Sequence, residues 1–232
     1  MRLCTVRIHF AAVAAVAAFC TASSAMAGTI ADWTFETSQP ATAGPFVPEV
    51  GLGSALGSHA GASTYSSPSG NGSAHSFSSN VWAVGDYYQF QVSTLGQSQI
   101  GLVFDQTSSG TGPRDFKVQY STNGVTFTDT GFTTQAPVNG APNVAWSAGA
   151  GEQSLYRRFV DLSTNSAVEN QPTLFLRIVD TSTVSSNGGA VATAGTDRVD
   201  NVQVLSQVPE PCSLLLALGC IAGLGFVRRS VR

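Results

Sequence analysis

The stretch Asp115-Phe-Lys-Val-Gln-Tyr-Ser121, continued by Thr-Asn123-Gly124 and Val-Thr-Phe-Thr128, decides the fold class. Phe116, Val118 and Tyr120 alternate with Lys117, Gln119 and Ser121, the two-residue period of a strand with one buried face. Asn123-Gly124 tolerates positive φ at both positions, so the pattern predicts a tight hairpin whose second strand starts at Val125. The same period recurs on either side. Residues 87–94 set Tyr88, Phe90 and Val92 against Tyr87, Gln89 and Gln91, and residues 98–106 align Ile100, Leu102 and Phe104. Leu95-Gly96-Gln97 between them predicts a second hairpin. Residues 29–36, 156–162, 173–180 and 198–205 read as further strands. Residues 40–80 are rich in Gly, Ser, Ala and Pro and read as irregular, with short strands near 63–65 and 75–77, and residues 133–151 read as a loop. Seven or eight strands without a helical period predict an all-β body, a jelly-roll-type two-sheet β-sandwich.

The two ends have a different character. Arg2 and Arg7 precede an apolar run at residues 10–20, and Ala25-Met26-Ala27 has the small-x-small form of a signal cleavage site. Residues 1–27 therefore read as a signal peptide with a short helix, cleaved before Gly28. At the other end, Pro209-Glu210-Pro211 leads into residues 212–227, which carry no charge, and then into Arg228, Arg229 and Arg232. As a helix, that uncharged span is about 24 Å long. A hydrocarbon core of about 30 Å accommodates it if flanking arginines snorkel. Basic residues stay cytoplasmic, so this reading gives a single C-terminal transmembrane helix with the body outside. The expected organisation is a signal at 1–27, an exported domain at 28–207 and a tail at 208–232.

Composition narrows the function classes. Residues 28–208 hold 6 basic and 13 acidic side chains, a net charge of −7, which argues against nucleic acid as a partner. The cysteines, Cys4, Cys20, Cys212 and Cys220, all lie in the ends, so the body has neither disulfides nor thiolate chemistry. His59 and His75 lack partners at zinc-ligand spacing, and no Gly-x-Ser-x-Gly elbow occurs. Asp105, Asp115 and Asp129 can be paired on paper for glycoside hydrolysis, but such pairs are defined by distance in space. The body reads as a non-enzyme. Trp82 and Tyr87, with Tyr88 and Trp146, are candidates for stacking on sugar rings, and packing in the core is the alternative.

Two resemblances add to this reading. Pro209-Glu210-Pro211, the apolar run and the terminal arginines together resemble a PEP-CTERM sorting signal. That resemblance implies a bacterium that makes exopolysaccharide and an exosortase-like membrane protease that removes the helix. It also implies transient anchoring in the inner membrane before release to the cell surface or matrix. Within the body, Phe116, Val118, Tyr120-Ser121, Asn123-Gly124 and Phe127 resemble bacterial extracellular jelly-roll modules of the galactose-binding-like kind, as does the ending Val199-Asp200-Asn201-Val202-Gln203-Val204. The resemblance implies a structural calcium between an acid of the first strand and one near the last. Glu36 and Asp200 match those positions, with Asp32 and Asp197 as neighbouring alternatives. The leading expectation is an exported structural component of an exopolysaccharide or biofilm layer. A glycan-binding module and a small secreted hydrolase are the alternatives.

Overall fold

The structure, a computed structural model, describes residues 27–207. Residues 1–26 with Ala25, the Pro209-Glu210-Pro211 motif, the apolar span 212–227 and Arg228, Arg229 and Arg232 lie outside the described residues, whereas Ala27 of the expected cleavage site opens the first strand. Among the described residues no helix is long and apolar enough to cross a membrane.

The strands in chain order are β1 (Ala27–Trp33), β2 (Val50–Gly51), β3 (Gly53–Ser58), β4 (Tyr65–Ser66), β5 (Phe77–Ser79) and β6 (Tyr87–Val92). They continue as β7 (Ser98–Ser108), β8 (Asp115–Ser121), β9 (Thr128–Gln135), β10 (Arg157–Asp161), β11 (Leu174–Asp180) and β12 (Asp197–Gln207). They form two sheets. The seven-stranded sheet runs β10-β7-β12-β1-β2, with β5 beside β12 and β4 beside β5; the five-stranded sheet runs β3-β6-β11-β8-β9. The fold is thus an all-β, jelly-roll-like sandwich.

Alternation fills the space between the sheets. Ile100, Leu102 and Phe104 of β7 and Val199, Val202 and Val204 of β12 are fully buried. Facing them are Leu174, Leu176 and Ile178 of β11, Tyr88 and Phe90 of β6, and Val118 of β8. Each such side chain contributes about 1.5–3 kcal/mol by leaving water. Trp33 from the larger sheet meets Phe90 from the smaller edge-to-face, with ring centroids 5.3 Å apart.

Three expectations change. Residues 87–94 and 98–106 do not form a hairpin, because β6 joins the smaller sheet and β7 the larger. Both strands have apolar inner faces, and the chain crosses the sandwich so that these faces meet across the core. The crossing is held by a third segment rather than by a strand ladder: Thr94 Oγ1 donates to Val168 O and Asn170 N to Gln97 O.

The 115–128 hairpin exists but is wider, since pairing resumes at Tyr120↔Thr128 rather than at Val125. Asn123 Oδ1 accepts from both Val125 N and Thr126 N, which spends those donors inside the loop. The second strand then runs to Gln135, inside a stretch read as loop.

Finally, β2 and β3 lie in the Gly/Ser-rich region read as irregular. β3 is built of small residues because aromatic rings occupy the space beside it. A Cβ on Gly53 would stand 2.9 Å from Trp33 Cζ2, and one on Gly57 would meet the Tyr65 ring.

Candidate functional site

The outer face of the five-stranded sheet presents one transverse row of side chains crossing every strand. Register places Leu56 opposite Gln89, Gln89 opposite Arg177, Arg177 opposite Gln119, and Gln119 opposite Asp129. The centre of the row is Arg177. Its guanidinium carbon lies 3.8 Å from the Tyr87 ring centroid and 3.4 Å from that of Phe127, and its Nε donates to Gln89 Oε1 at 2.8 Å. Burial lowers the Arg177 pKa and the Tyr87 hydroxyl opposes it; a guanidinium nevertheless stays charged. Gln119 Nε2 donates to Asp129 Oδ1 at 2.7 Å, and with Lys117 it holds that carboxyl below its ordinary range. In the adjacent row Gln91 pairs with Phe175, and the Gln91 amide has no hydrogen-bond partner among the described residues. The face therefore offers amides and a guanidinium on strands, Gln89 being the most buried of them, and aromatic edges from Tyr87 on β6 and Phe127 in the β8–β9 loop.

Of the residues named from sequence, Tyr87 belongs to this face and is half-buried beneath Arg177. Trp82 does not. It is 7% exposed, its Nε1 donates to Ser79 O, and its ring packs against His59, Tyr88 and Phe116. Tyr88 and Trp146 are buried as well. The polar outer residues Gln89, Gln91, Lys117 and Gln119 were visible as the outward half of the strand alternation. Their alignment with Arg177 depends on register, and no local signal encodes that.

The outer face of the larger sheet carries a second row, Arg157, Asp105 and Asp200, aligned across β10, β7 and β12. A bulge in β12, where Asn201 takes φ +47°, resets the alternation after Asp200. A loop at residues 67–76 covers the two carboxylates. Asn71 N and Ser73 Oγ donate to Asp200 Oδ2 at 2.8 and 2.7 Å, and Asn201 N donates to Oδ1 at 2.8 Å. Asn71 Nδ2 and Asn201 Nδ2 each donate to Asp105 Oδ2 at 2.9 Å. Arg157 reaches Asp105 at 3.3 Å and also pairs with Glu152. Asp105 thus has a cation, whereas the three donors on Asp200 are neutral. Burial pushes the Asp200 carboxyl up to about 7, against the pull of those hydrogen bonds.

Glu36 grips the same loop, with His75 N donating to its Oε1 at 2.7 Å. A Cβ on Gly70 would collide with Asp200 Oδ2, Ser73 Oγ and His75 O. Those three oxygens crowd Gly70 and are already tied together, Ser73 Oγ donating to both Asp200 Oδ2 and His75 O; carboxylate, hydroxyl and main-chain oxygens are the donor types calcium takes. Among the described residues no three His, Cys, Asp or Glu side chains form a metal cluster. Hydroxyl and main-chain oxygens would have to supply most of the coordination. The alternatives lie elsewhere: Asp32 accepts from Gln203 Nε2, and Asp197 from Gln106 and Ser108.

The paired candidates Asp115 and Asp129 sit on β8 and β9, where Arg114 holds Asp115 and Lys117 holds Asp129. A serine–histidine–aspartate connection does exist: Asp86 Oδ2 to His59 Nδ1 at 3.0 Å, and His59 Nε2 to Ser79 Oγ at 3.0 Å. Ser79 is 1% exposed and its hydroxyl also meets Tyr88 OH, so the array faces the interior with no room for a substrate. Burial lowers the His59 pKa despite Asp86.

No family model matches the chain, and no curated protein matches it. Solved structures do. The chain is similar to the K2 cleaved adhesin domain of Lys-gingipain, with 18% identity, 75% of this chain and 97% of that one covered, and a TM-score of 0.42. It is also similar to the CBM22-2 xylan-binding domain of Paenibacillus barcinonensis Xyn10C, with 12% identity, coverage of 79% and 99%, and a TM-score of 0.42. A third is TmCBM61, solved in complex with β-1,4-galactotriose, with 8% identity, coverage of 75% and 94%, and a TM-score of 0.39. Likenesses of this size establish no shared ligand or binding residue.

Proposed function

We propose that this chain is an exported protein whose sandwich binds polysaccharide on the outer face of the five-stranded sheet. The observation that carries the reading is the row of Gln89, Arg177 and Gln119, flanked by Tyr87 and Phe127. Amides and a guanidinium match sugar hydroxyls, and aromatic edges match the apolar faces of pyranose rings. The module binds and does not catalyse. Calcium between Glu36, Asp200 and the 70–75 loop is its structural staple.

Its delivery runs through the two ends. The signal segment exports it, and an exosortase-like protease acts at Pro209-Glu210-Pro211 to pass it from the inner membrane to a cell-surface or exopolysaccharide layer. The pairing of β1 with β12, Ala27 opposite Gln207, supports this. A cut before Gly28 removes only Ala27, the terminal pair of that ladder, and a cut at 209–211 lies beyond it, so the pairing from Gly28↔Ser206 to Trp33↔Val202 survives removal of both ends.

Affinity electrophoresis of the purified protein against a panel of neutral and acidic polysaccharides tests the binding. Retardation by at least one of them, weakened roughly tenfold in Arg177→Ala, is expected. No retardation by any polysaccharide would remove the reading. For delivery, alanines at 209–211 should leave full-length protein in the membrane, and unchanged release would remove the sorting step.

A further inference from the structure

The alternation that builds the core continues past the core. Beyond Phe104 the inward positions of β7 are Gln106 and Ser108, before Val199 on β12 comes Asp197, and after Ile178 on β11 comes Asp180. Asp197 lies opposite Ser108 and Ser79, and Asp180 lies opposite the buried Phe116. Main-chain bonds extend the β6–β11 ladder to Asp86, since Asp180 N donates to Asp86 O at 2.9 Å. One end of the interior therefore holds three carboxyl groups, Asp86, Asp180 and Asp197, exposed by 3%, 1% and 0%.

Their satisfaction is unequal. Asp86 accepts from Ala60 N, Ala83 N and His59. Asp197 accepts from Ser108 Oγ at 2.7 Å and from Gln106 Nε2 at 3.2 and 3.3 Å. Two buried oxygens in this layer have no partner: Asp180 Oδ2 and Gln106 Oε1. The Gln106 amide holds Asp197 through its nitrogen, so its oxygen stands beside that carboxylate. Each orphaned acceptor costs about 1–3 kcal/mol, and more where charged. Among the described residues no lysine or arginine hydrogen-bonds to these carboxyls, and Arg198, next in sequence to Asp197, acts on it only through space.

We propose that a divalent cation of the calcium type binds at this end of the sandwich, with Asp180 Oδ2, Gln106 Oε1 and the Asp197 carboxylate as its protein ligands. It is separate from the Gly70 clasp. A divalent ion neutralises both acids, gives each orphaned oxygen a partner, and ties β11 of one sheet to β7 and β12 of the other. The two carboxyls repel each other; burial pushes Asp180 up to about 6 and Asp197 well up, with Asp180 adding to the latter. A bound proton is the competing means of neutralisation.

The test is terbium luminescence and calcium titration calorimetry of the full chain, stripped with EDTA in detergent. Trp82, 5.1 Å from Tyr88, whose hydroxyl donates to Asp197 O, is the antenna. Tryptophan-sensitised terbium emission, displaced by calcium, is expected in wild type and in Asp200→Asn. Asp180→Asn should weaken calcium binding at this site at least roughly tenfold. Gln106→Glu adds a ligand charge and should tighten it. No sensitised emission in Asp200→Asn, or equal calcium affinity in wild type and Asp180→Asn, overturns the proposal. A protonated-carboxyl infrared band at neutral pH, present with excess calcium and lost in Asp180→Asn, overturns it as well.

Discussion

The two sheets bury the same kind of inner face but treat their outer faces in opposite ways. On the larger sheet the row Arg157–Asp105–Asp200 is roofed by residues 67–76, and both carboxylates are fully buried. On the smaller sheet the row Gln89–Arg177–Gln119 has no roof, and its Arg177 and Gln119 remain partly exposed. In the first, polar groups are consumed in holding the chain to itself. In the second, amide groups are left over. The roofed row is assigned to stability and the open row to the proposed glycan contact, and mutation separates the two assignments.

The largest effect is expected at Asn71, the centre of the roof. Its side chain donates to Asp105 and Gln153 O and accepts from Gln153 N. Asn71→Ala leaves Asp105 short of a donor and frees two main-chain groups, a loss of about 4 kcal/mol. Urea denaturation measures it, and a loss under about 1 kcal/mol would mean that the roof is decoration.

Next in size is a pH effect confined to the roofed face. Asp200 is raised from 3.8 to about 7, chiefly by burial, so between those values the folded state holds the proton more tightly than the unfolded one. The stability it contributes is present below about pH 4 and is lost as pH rises through about 7. In EDTA, wild type should lose up to about 4 kcal/mol over that window relative to Asp200→Asn. Calcium should abolish the difference. A flat difference profile in EDTA would show that Asp200 is ionised throughout. Smaller again is Gly70→Ala, whose Cβ meets Asp200 Oδ2, Ser73 Oγ and His75 O. Overpacking there should cost about 2 kcal/mol and weaken calcium binding at the clasp.

The inner faces were legible from sequence and the outer faces were not, for a physical reason. Phe116, Val118, Tyr88, Phe90, Ile100, Leu102 and Phe104 announce a buried face by period alone, and all of them are buried. Register, by contrast, is a property of two strands at once. Nothing local says that Arg177 falls between Gln89 and Gln119, or that β6 and β7 part into different sheets. Glu36 and Asp200 were named from a resemblance, and the loop they share, with Asn71, Ser73 and Gly70, lies in the stretch read as irregular with short strands near 63–65 and 75–77. β3 stayed hidden because its glycines pack against the rings of Trp33 and Tyr65, which lie elsewhere in the chain. Trp82 misleads in the opposite sense, as an aromatic that suits a sugar yet closes the core.

The smallest expected change in stability is the sharpest test of the contrast. Gln91 makes no side-chain hydrogen bond among the described residues, and Gln119 reaches only Asp129, which Lys117 also holds. Replacing both by alanine removes two amides from a solvated face and should change stability by less than about 0.5 kcal/mol. The same variant removes amides open to a sugar on the strands either side of Arg177, so polysaccharide retardation should fall roughly fivefold to tenfold while the urea midpoint stays put. The opposite result, a shifted midpoint with unchanged retardation, would mean that the open row is a folding element like its roofed counterpart. The glycan site would then have to be sought on another surface, such as the cleft of about 390 Å³ lined by Tyr120, Asn123, Thr126 and Gln171.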